Sequence, residues 1–269
     1  MSPKATTVAL TVAGSDSSGG AGLQADLKTV GALGVWGVSA VTAVTAQNAQ
    51  GVGAVHVVPG WMVRAQIEAV AGQSRPAAAK TGMLATAEVV ESVAAAVADL
   101  RLSPLVIDPV LAASQGGRLL EPDGVRAMKD LLLPMCAVLT PNLDEAEMLL
   151  GQSVTEVADM PGAAAGLGAL GPGAVLLKGG HLRGVRSPDL LWFGGTATWL
   201  EGPRIVTDHT HGTGCTLSAA IAVYLAAGLP VPEACSRSKA FVTGAIAGGF
   251  GIGSGPGSVD PLWNWGKPS

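Results

Sequence analysis

The segment GTGC at 212–215 is a first candidate for chemistry, because glycines and a cysteine stand at the start of the helix-forming run CTLSAAIAVYLAAG. The first N–H groups of a helix have no intrahelical partner, and glycines let a ligand come close to the backbone. Such a turn favours an anion, and a phosphate group above all. An ordinary helix start has the same composition, so this segment alone does not choose between the two interpretations.

Several charged or polar residues directly follow short apolar runs. Lys178 follows AVLL and precedes two glycines; a lysine there commonly snorkels to the surface, but the glycines would let a ligand approach. Asp108 precedes Pro109 and is either a turn residue or a carboxylate of a site. Asn142 and Glu145 open a helical pattern, where they form a capping box or hold a magnesium–phosphate assembly through water.

Two further polar residues follow the first two apolar runs of the chain. Asp16 and Gln47 together offer a carboxylate and a carboxamide, which could hydrogen-bond the edge of a heterocycle. The alternatives are an Asx-turn and an exposed loop residue. His209 and His211 form an H-x-H pattern, but no third ligand stands at a suggestive spacing, which argues against a zinc site.

One glycine pattern is excluded by its context. GLGALG at 166–171 matches G-x-G-x-x-G, but it follows a helical pattern and precedes an apolar run. A dinucleotide-binding turn requires a strand before it and a helix after it. The segment therefore predicts the end of a helix. The chain also lacks G-x-x-x-x-G-K-[ST], which excludes a P-loop protein.

The elements that would position these residues alternate between short apolar runs and longer helical patterns. The runs are nearly continuous in apolar residues, as expected for strands buried on both faces of a parallel sheet. This alternation predicts a layered α/β sheet with right-handed crossovers. The predicted strands are 7–12, 37–44, 77–80, 105–107, 137–139 and 174–177. The predicted helices are 21–33, 61–71, 86–100, 122–132, 143–150, 160–170, 214–227 and 232–247.

Ligands of open α/β sheets bind at the carboxyl ends of the strands, so the polar residues above are predicted to share one rim. No Pro/Ser-rich linker or internal repeat interrupts the chain, which favours a single domain over 1–269. Two segments break the alternation. Residues 189–206 predict a hairpin that turns at Gly194–Gly195. The glycine-rich tail carries Trp263 and Trp265, which could pin it to the body.

Composition limits the class of protein. Of 269 residues, 48% are hydrophobic and 13% charged, which suits a deep core and excludes disorder. The net charge of −4 gives no basic surface for nucleic acid. Three cysteines form neither a CxxC pair nor an even set, which indicates a reducing compartment. No run approaches the roughly 18 apolar residues of a membrane helix, so we expect a cytoplasmic protein without a membrane partner.

Taken in order, seven segments of the chain resemble the hydroxymethylpyrimidine/phosphomethylpyrimidine kinases of thiamine biosynthesis, within the ribokinase-like superfamily. The resemblance spans roughly residues 8–260, and its first and last motifs are the most specific to this family and its pyridoxal-kinase relatives. The segments are AGSDSSGGAGLQADLKT (13–29), TAVTAQN (42–48), KTGML (80–84), DPV (108–110), TPNLDEAE (140–147), KGGH (178–181) and HGTGCTLSAAIA (211–222).

The resemblance implies a three-layer sandwich with a mainly parallel central sheet and helices on both faces. It also implies ATP- and Mg²⁺-dependent phosphorylation of 4-amino-5-hydroxymethyl-2-methylpyrimidine, and then of its monophosphate to the pyrophosphate. The residues that it assigns to the pyrimidine are Gly14, Asp16, Ala21, Gln47, Met83 and Val110. Those assigned to the nucleotide are Asp108, Asn142, Lys178, Thr210, Gly212 and Thr213, with Glu145 and Asp108 for the metal. The catalytic group that the resemblance implies is Cys215 and Lys178 with the anion hole Gly212, Thr213 and Gly214.

Cys215 stands where many ribokinase-like enzymes place an aspartate base. A helix N-terminus lowers the pKa of a thiol, so the sequence predicts a thiolate near neutral pH that acts as the base or at least orients the substrate hydroxyl. Thr81 departs from the family pattern, because KTGML stands where KIGML is usual, and it adds a hydroxyl near the pocket. QNAQGV likewise replaces QNT-x-GV.

A pyridoxal or pyridoxine kinase of the same fold is the alternative function, and a substrate panel would separate the two. A non-catalytic sensor on this fold would be expected to lose Lys178, Glu145 or the GTGC turn, and all three are present. We expect small-molecule partners only, namely the pyrimidine alcohol and ATP, and a homodimer.

Overall fold

The computed structural model describes residues 6–113, 116–180 and 187–265. Its strands and helices alternate along most of the chain, as the apolar runs predict. The strands are β1 (Val8–Asp16), β2 (Trp36–Asn48), β3 (Gly51–Val57), β4 (Ala78–Thr81), β5 (Leu105–Ile107), β6 (Val138–Leu139), β7 (Ala174–Leu177), β8 (Asp189–Phe193) and β9 (Thr196–Leu200). The helices are α1 (Gly22–Ala32), α2 (Gly60–Gln73), α3 (Ala87–Leu100), α4 (Pro122–Ala127), α5 (Leu143–Leu150), α6 (Met160–Gly168), α7 (Thr213–Ala226) and α8 (Val231–Ala247).

All the described strands join one nine-stranded sheet in the order β3-β2-β1-β4-β5-β6-β7-β8-β9. The six central strands of the sheet are parallel to one another; in sheet order they are β2, β1, β4, β5, β6 and β7. The strands β3, β8 and β9 pair in antiparallel fashion at the two edges. The carboxyl ends of the parallel strands therefore meet at one rim.

Two apolar cores, one on each face of the sheet, make this a three-layer α/β/α sandwich. The larger core packs α2, α3, α5 and α6 against one face. The smaller clusters on the opposite face bring in α7, α8 and α1. The predicted fold class is therefore confirmed. No helix in the described part of the chain combines the length and the apolar character that crossing a bilayer requires.

The predicted helices are confirmed to within a few residues, except at 122–132. There α4 ends at Ala127, and the chain continues as a π-turn over Met128–Leu132 and a 3₁₀ turn over Leu133–Met135. The predicted hairpin at 189–206 is formed by β8 and β9. Gly194 and Gly195 make its turn at φ values of +58° and +78°, the left-handed conformations that a tight two-residue hairpin needs.

The strand β3 was not predicted. Its sequence GVGAVHV carries two glycines, and most of its residues are exposed, because it pairs only with β2 at the edge of the sheet. Apolar continuity, which identified the central strands, is absent from such an edge strand. The prediction for the tail is half right. Trp263 packs against Gly244 and lies 6.2 Å from the ring centre of Phe241, whereas Trp265 is exposed.

Thr81 is fully buried on the same face of β4 as the core residue Ala79, and its hydroxyl has no hydrogen-bond partner in the described structure. A buried hydroxyl without a partner costs about 1–3 kcal/mol. We therefore expect the nearly isosteric Thr81→Val to raise the free energy of unfolding by about 1 kcal/mol, measured by urea denaturation.

The matched control is Thr42→Val, because Thr42 is equally buried but its hydroxyl donates to the carbonyl of Met83. That variant should lower the free energy of unfolding by about 1 kcal/mol. A loss of stability in both variants would mean that the Thr81 hydroxyl is hydrogen-bonded in solution.

Candidate active site

The loop between β1 and α1 is built around the carboxylate of Asp16. Its Oδ1 accepts the Ser18 backbone N–H at 2.8 Å, and its Oδ2 accepts the Ala21 N–H at 2.9 Å. Oδ2 also accepts the Ser18 hydroxyl at 2.9 Å and lies 2.8 Å from Nε2 of His211. Burial alone would raise the pKa of Asp16, but the hydrogen bonds from His211, Ser18 and Ala21 outweigh it and lower the pKa to about 2. Asp16 is thus an ionised anchor for this loop.

The two histidines of the H-x-H pattern hold separate parts of the molecule. His211 joins the α7 turn to Asp16, and its backbone N–H and C=O pair with Gly257 and Val259 of the tail. Nδ1 of His209 accepts the N–H of Gly257 at 3.0 Å. These contacts fix the tail beside the turn that opens α7.

Most residues assigned to the pyrimidine lie at the ends of three neighbouring strands. Gly14 on β1 is close to Met83, since a Cβ at position 14 would lie 3.2 Å from the Met83 sulfur. Ser17 ties the first loop to the end of β2, because its hydroxyl exchanges two 2.8 Å hydrogen bonds with the backbone of Gln47. Ala21 is held through its N–H, as above.

A cavity of about 500 Å³ opens beside these strand ends. Ser17 and Gln47 line it, together with the β2–β3 turn. Oε1 of Gln47 accepts the Thr45 hydroxyl at 3.1 Å. Val110 follows β5, further along the same rim, and its N–H donates to the carbonyl of Asp108 at 2.9 Å.

A charged cluster occupies the ends of β5, β6 and β7. Nζ of Lys178 lies 3.0 Å from Oδ1 of Asp108 and 3.8 Å from Oε2 of Glu145. Asp108 also accepts the hydroxyls of Thr140 and Ser218, at 3.2 and 3.4 Å. The snorkelling interpretation of Lys178 does not apply, because its side chain is only 15% exposed.

Glu145 and Asn142 do form a capping box at the start of α5. The Asn142 side chain accepts the Glu145 N–H at 2.8 Å, and the Glu145 carboxylate accepts the Asn142 N–H at 2.7 Å. The capping box that the sequence predicts for this pair is therefore present, and the Glu145 carboxylate still lies beside Lys178. Burial raises the pKa of Glu145 to about 7, although the Lys178 ammonium opposes this. Burial would lower the pKa of Lys178, but Asp108 and Glu145 outweigh burial and raise it.

The turn that opens α7 completes this end of the rim. Gly212 caps the helix at φ +85°, and a Cβ there would overlap the carbonyl oxygen of Gly20, so this position requires glycine. The Thr213 hydroxyl donates to the carbonyl of Thr210 at 2.6 Å, and Thr210 itself is exposed. A Cβ at Gly214 would lie 3.3 Å from both Asp108 Oδ2 and Lys178 Nζ, so the helix start opens directly onto the charged cluster.

The predicted resting thiolate at Cys215 is wrong for the ligand-free protein. Burial raises the pKa of its thiol to about 12; the Lys80 charge and a hydrogen bond from the Gly22 N–H lower it, but not enough to offset burial. The first turn of a helix is therefore not a sufficient reason to expect a thiolate. Any thiolate at this position depends on cations near the sulfur.

The residues at this rim fit a magnesium ion. Asp108 and Glu145 supply two carboxylates beside the open helix start, where Gly214 leaves space next to Asp108. Mg²⁺ is commonly held by one or two carboxylates together with substrate phosphates and water. Within the described residues no three His, Cys, Asp or Glu side chains gather into a ready-made metal site, so the phosphates would complete the coordination.

The sequence analysis did not predict several residues that shape the site. Lys80 and Asp26 form an ion pair beneath it, and their side chains are 1% and 0% exposed. His211 was considered only as a metal ligand. The one local signal was the lysine that ends the apolar run AAK. His181, the last residue of the motif KGGH, lies outside the described residues.

Comparisons with known proteins identify the class to which this fold belongs. The structure superposes on Staphylococcus aureus pyridoxal kinase in complex with AMP-PCP and pyridoxal with a TM-score of 0.90, at 35% identity over 98% of this chain and 96% of that one. It superposes on Clostridium difficile phosphomethylpyrimidine kinase with a TM-score of 0.79, at 39% identity over 90% and 100%. The fold and the rim therefore define a small-molecule kinase of the ribokinase-like class.

A model of the phosphomethylpyrimidine kinase family matches residues 16–260. A hydroxymethylpyrimidine/phosphomethylpyrimidine kinase of Streptomyces coelicolor is 48% identical over 265 residues, 98% of each chain. The chain belongs to the phosphomethylpyrimidine kinase family. The resemblance that its motifs carry is thereby confirmed.

Proposed function

We propose that this protein transfers the γ-phosphoryl group of ATP to the hydroxymethyl group of hydroxymethylpyrimidine, and then phosphorylates the monophosphate to the pyrophosphate. The observation that carries the proposal is the charged cluster at the start of α7. There Lys178 bridges Asp108 and Glu145 next to the backbone of Gly214. Phosphoryl transfer requires positioning and charge neutralisation more than covalent chemistry, and this cluster supplies both.

The phosphates of the nucleotide would bind at the start of α7, next to the charged side chains of Lys178, Asp108 and Glu145. The helix start around the anion hole would receive the transferring phosphate through the N–H groups of Gly212, Gly214 and Cys215, since the Thr213 N–H donates to the carbonyl of Thr210 at 3.2 Å. Lys178 would neutralise charge that grows on its oxygens. Bound Mg²⁺, held by Asp108 and Glu145 with the phosphates, would neutralise the rest. Asn142 would act by fixing Glu145, and Thr210 and Thr213 would shape the turn against the nucleotide.

The pyrimidine would lie at the ends of β1, β2 and β4. Gln47 would contribute its NH₂ group to the ring edge, and Gly14, Ala21, Met83 and Val110 would form the walls. Asp16 differs from the others, since four hydrogen bonds already use its carboxylate. Its contribution is to hold the loop and His211 in place.

Cys215 would lie where the substrate hydroxyl meets the phosphate. Because bond formation to the nucleophile lags in a loose transition state, the hydroxyl loses its proton late. Once nearby cations have favoured loss of the thiol proton to solvent, the Cys215 thiolate would orient the hydroxyl and accept its proton. This replaces the resting thiolate expected from the sequence.

We also propose that the protein is a cytoplasmic homodimer. Three free cysteines support a reducing compartment. The dimer is supported by exposed apolar side chains on neighbouring elements near the β3 edge of the sheet, since Val44 of β2, Val55 of β3 and Trp61 of α2 are 50%, 42% and 66% exposed. Light scattering of the purified protein measures its mass directly.

The experiment that tests the function supplies ATP and Mg²⁺ with hydroxymethylpyrimidine, its monophosphate, or pyridoxal, and identifies the products by mass spectrometry. We expect the monophosphate first and the pyrophosphate after it, with no product when Mg²⁺ is omitted. Pyridoxal belongs in the panel because a pyridoxal kinase superposes with a TM-score of 0.90. Turnover of pyridoxal-type alcohols alone would overturn the pyrimidine assignment.

A further inference from the structure

An ion pair that the proposed mechanism does not use joins α8 to the start of β8. Nζ of Lys239 is 2.7 Å from Oδ2 of Asp189, and the two side chains are 10% and 9% exposed. The ammonium also donates to the carbonyl of Ser187 at 2.6 Å. Gly202 leaves room for the lysine, because a Cβ there would lie 2.9 Å from Lys239 Cε. The fold thus accommodates a long charged side chain at this position.

Packing alone does not explain why two charges are buried here. Asp189 shares a face of β8 with Leu191. Lys239 lies on the same side of α8 as Cys235 and Val242, four positions after the first and three before the second. Leu191, Cys235 and Val242 belong to one apolar cluster. Because apolar side chains of similar volume can often replace a buried ion pair without loss of stability, an apolar pair would fit these surroundings.

The second carboxylate oxygen of Asp189 holds the backbone directly after Lys178. Oδ1 of Asp189 accepts the buried N–H of Gly179 at 2.9 Å. This N–H belongs to the planar peptide unit that begins at the carbonyl of Lys178, so the hydrogen bond also fixes the Lys178 backbone. The N–H of Lys178 itself donates to the carbonyl of Pro141 at 2.8 Å. Two successive N–H groups at the end of β7 are therefore held, one by the segment after β6 and one by the start of β8.

Lys178 needs such anchors because two glycines follow it. Glycine has wide conformational freedom, so Gly179 and Gly180 do little by themselves to direct the chain. Asp189 holds the N–H of Gly179, and the carbonyl of Gly180 accepts Nη1 of Arg204 at 3.0 Å. Hydrogen bonds from outside the segment therefore restrict the backbone beside Lys178.

We propose that Asp189, oriented by Lys239, is a positioning residue for Lys178. It holds the backbone from which Lys178 extends, and so keeps the ammonium beside the carboxylates of Asp108 and Glu145. A displacement of about 1 Å can cost about 100-fold in rate, so a small shift of this ammonium would matter. This inference rests on the proposed function, in which Lys178 neutralises charge on the transferring phosphate.

The test compares two double variants that both lose the ion pair. Asp189→Leu/Lys239→Met offers the Gly179 N–H no side-chain acceptor, whereas Asp189→Asn/Lys239→Met keeps a carbonyl oxygen for it. We expect kcat to fall about tenfold in the leucine variant and to stay within about threefold in the asparagine variant. KM for the pyrimidine should change less than about twofold in both. If the leucine variant does not fold, Asp189→Ala/Lys239→Met replaces it, since alanine also lacks an acceptor.

A second readout needs no substrate. Reductive methylation, followed at each lysine by mass spectrometry, reports how accessible the amine is. Lys178 is only 15% exposed and should react slowly in the unaltered protein. Its methylation should become about fivefold faster in the leucine variant and change little in the asparagine variant, because only the leucine variant frees the local backbone. The partly buried Lys129 and the buried Lys80 are the controls, and their rates should not change.

The Lys178→Ala background shows whether Asp189 acts through this lysine. There the leucine and asparagine variants should have kcat values within about twofold of each other, since the positioned group is gone. Equal kcat of the two variants in the unaltered background, or an undiminished difference without Lys178, would overturn the proposal. So would faster methylation of Lys129 and Lys80 together with Lys178, which would indicate general loosening. If the unaltered protein proves inactive on pyrimidines, methylation still tests the anchor.

Discussion

Replacing Cys215 with serine is expected to lower kcat at least about 100-fold, with KM for the pyrimidine changed less than about threefold. General base catalysis contributes typically 10²–10⁴-fold, and a serine hydroxyl is a far weaker acid than a thiol. The substitution keeps the size of the side chain at the start of α7, so the anion hole is preserved. Steady-state kinetics with saturating ATP and Mg²⁺ measure both constants.

The pH dependence of kcat/KM, which reports ionisations of the free enzyme, gives this prediction a second readout. Burial raises the pKa of the Cys215 thiol to about 12 in the ligand-free protein, so its thiolate fraction grows with pH throughout the neutral range. We therefore expect kcat/KM to rise from pH 7 to 9. Cys215→Asp should recover part of the lost activity and flatten this rise, because a carboxylate is already ionised there. A serine variant with nearly full kcat would show that the thiol only shapes the pocket.

The central strands were predictable because burial on both faces leaves each of them a continuous apolar run, as in LVI of β5 and AVLL of β7. Their order in the sheet was not predictable, because it depends on which crossovers pack against which face. The edge strand β3 was not predicted, for the opposite reason. Its residues are mostly exposed, and pairing with β2 rather than apolar packing makes it a strand.

Much of the site could also be predicted, because the carboxyl ends of parallel strands meet at one rim. Lys178 and Lys80 show where such reasoning stops. Lys178 directly follows β7 and Lys80 is the third of the four residues of β4, and the local sequence pattern does not distinguish them. The difference comes from Asp26, which is 54 positions away along the chain and meets Lys80 only in the folded protein. The same holds for the thiol of Cys215, since the sequence showed the helix start but not the partial burial of this side chain.

Lys178→Ala should affect catalysis far more than binding, and we expect kcat to fall about 100–1000-fold, the range for loss of one preorganised charge stabiliser. Charge on the transferring group grows toward the transition state, whereas the pyrimidine lies at other strand ends, so KM for the pyrimidine should change less than about threefold. The loss has a second source. Without the ammonium, which now holds down the raised pKa of Glu145, this buried carboxyl takes up a proton more readily and becomes a poorer metal ligand at neutral pH.

The matched control for Lys178 is Lys129→Ala, because Lys129 is also partly buried and donates a 3.0 Å hydrogen bond, but to the carbonyl of Leu149 at the end of α5. Its kcat should stay within about twofold of the unaltered protein, since a group remote from the reacting atoms stabilises ground and transition states alike. Raising the pH toward 8.5 should restore a small part of the Lys178→Ala activity by ionising Glu145 again. An unchanged kcat in Lys178→Ala would show that Lys178 does not stabilise the transition state. An equal loss in both variants would trace the effect to stability.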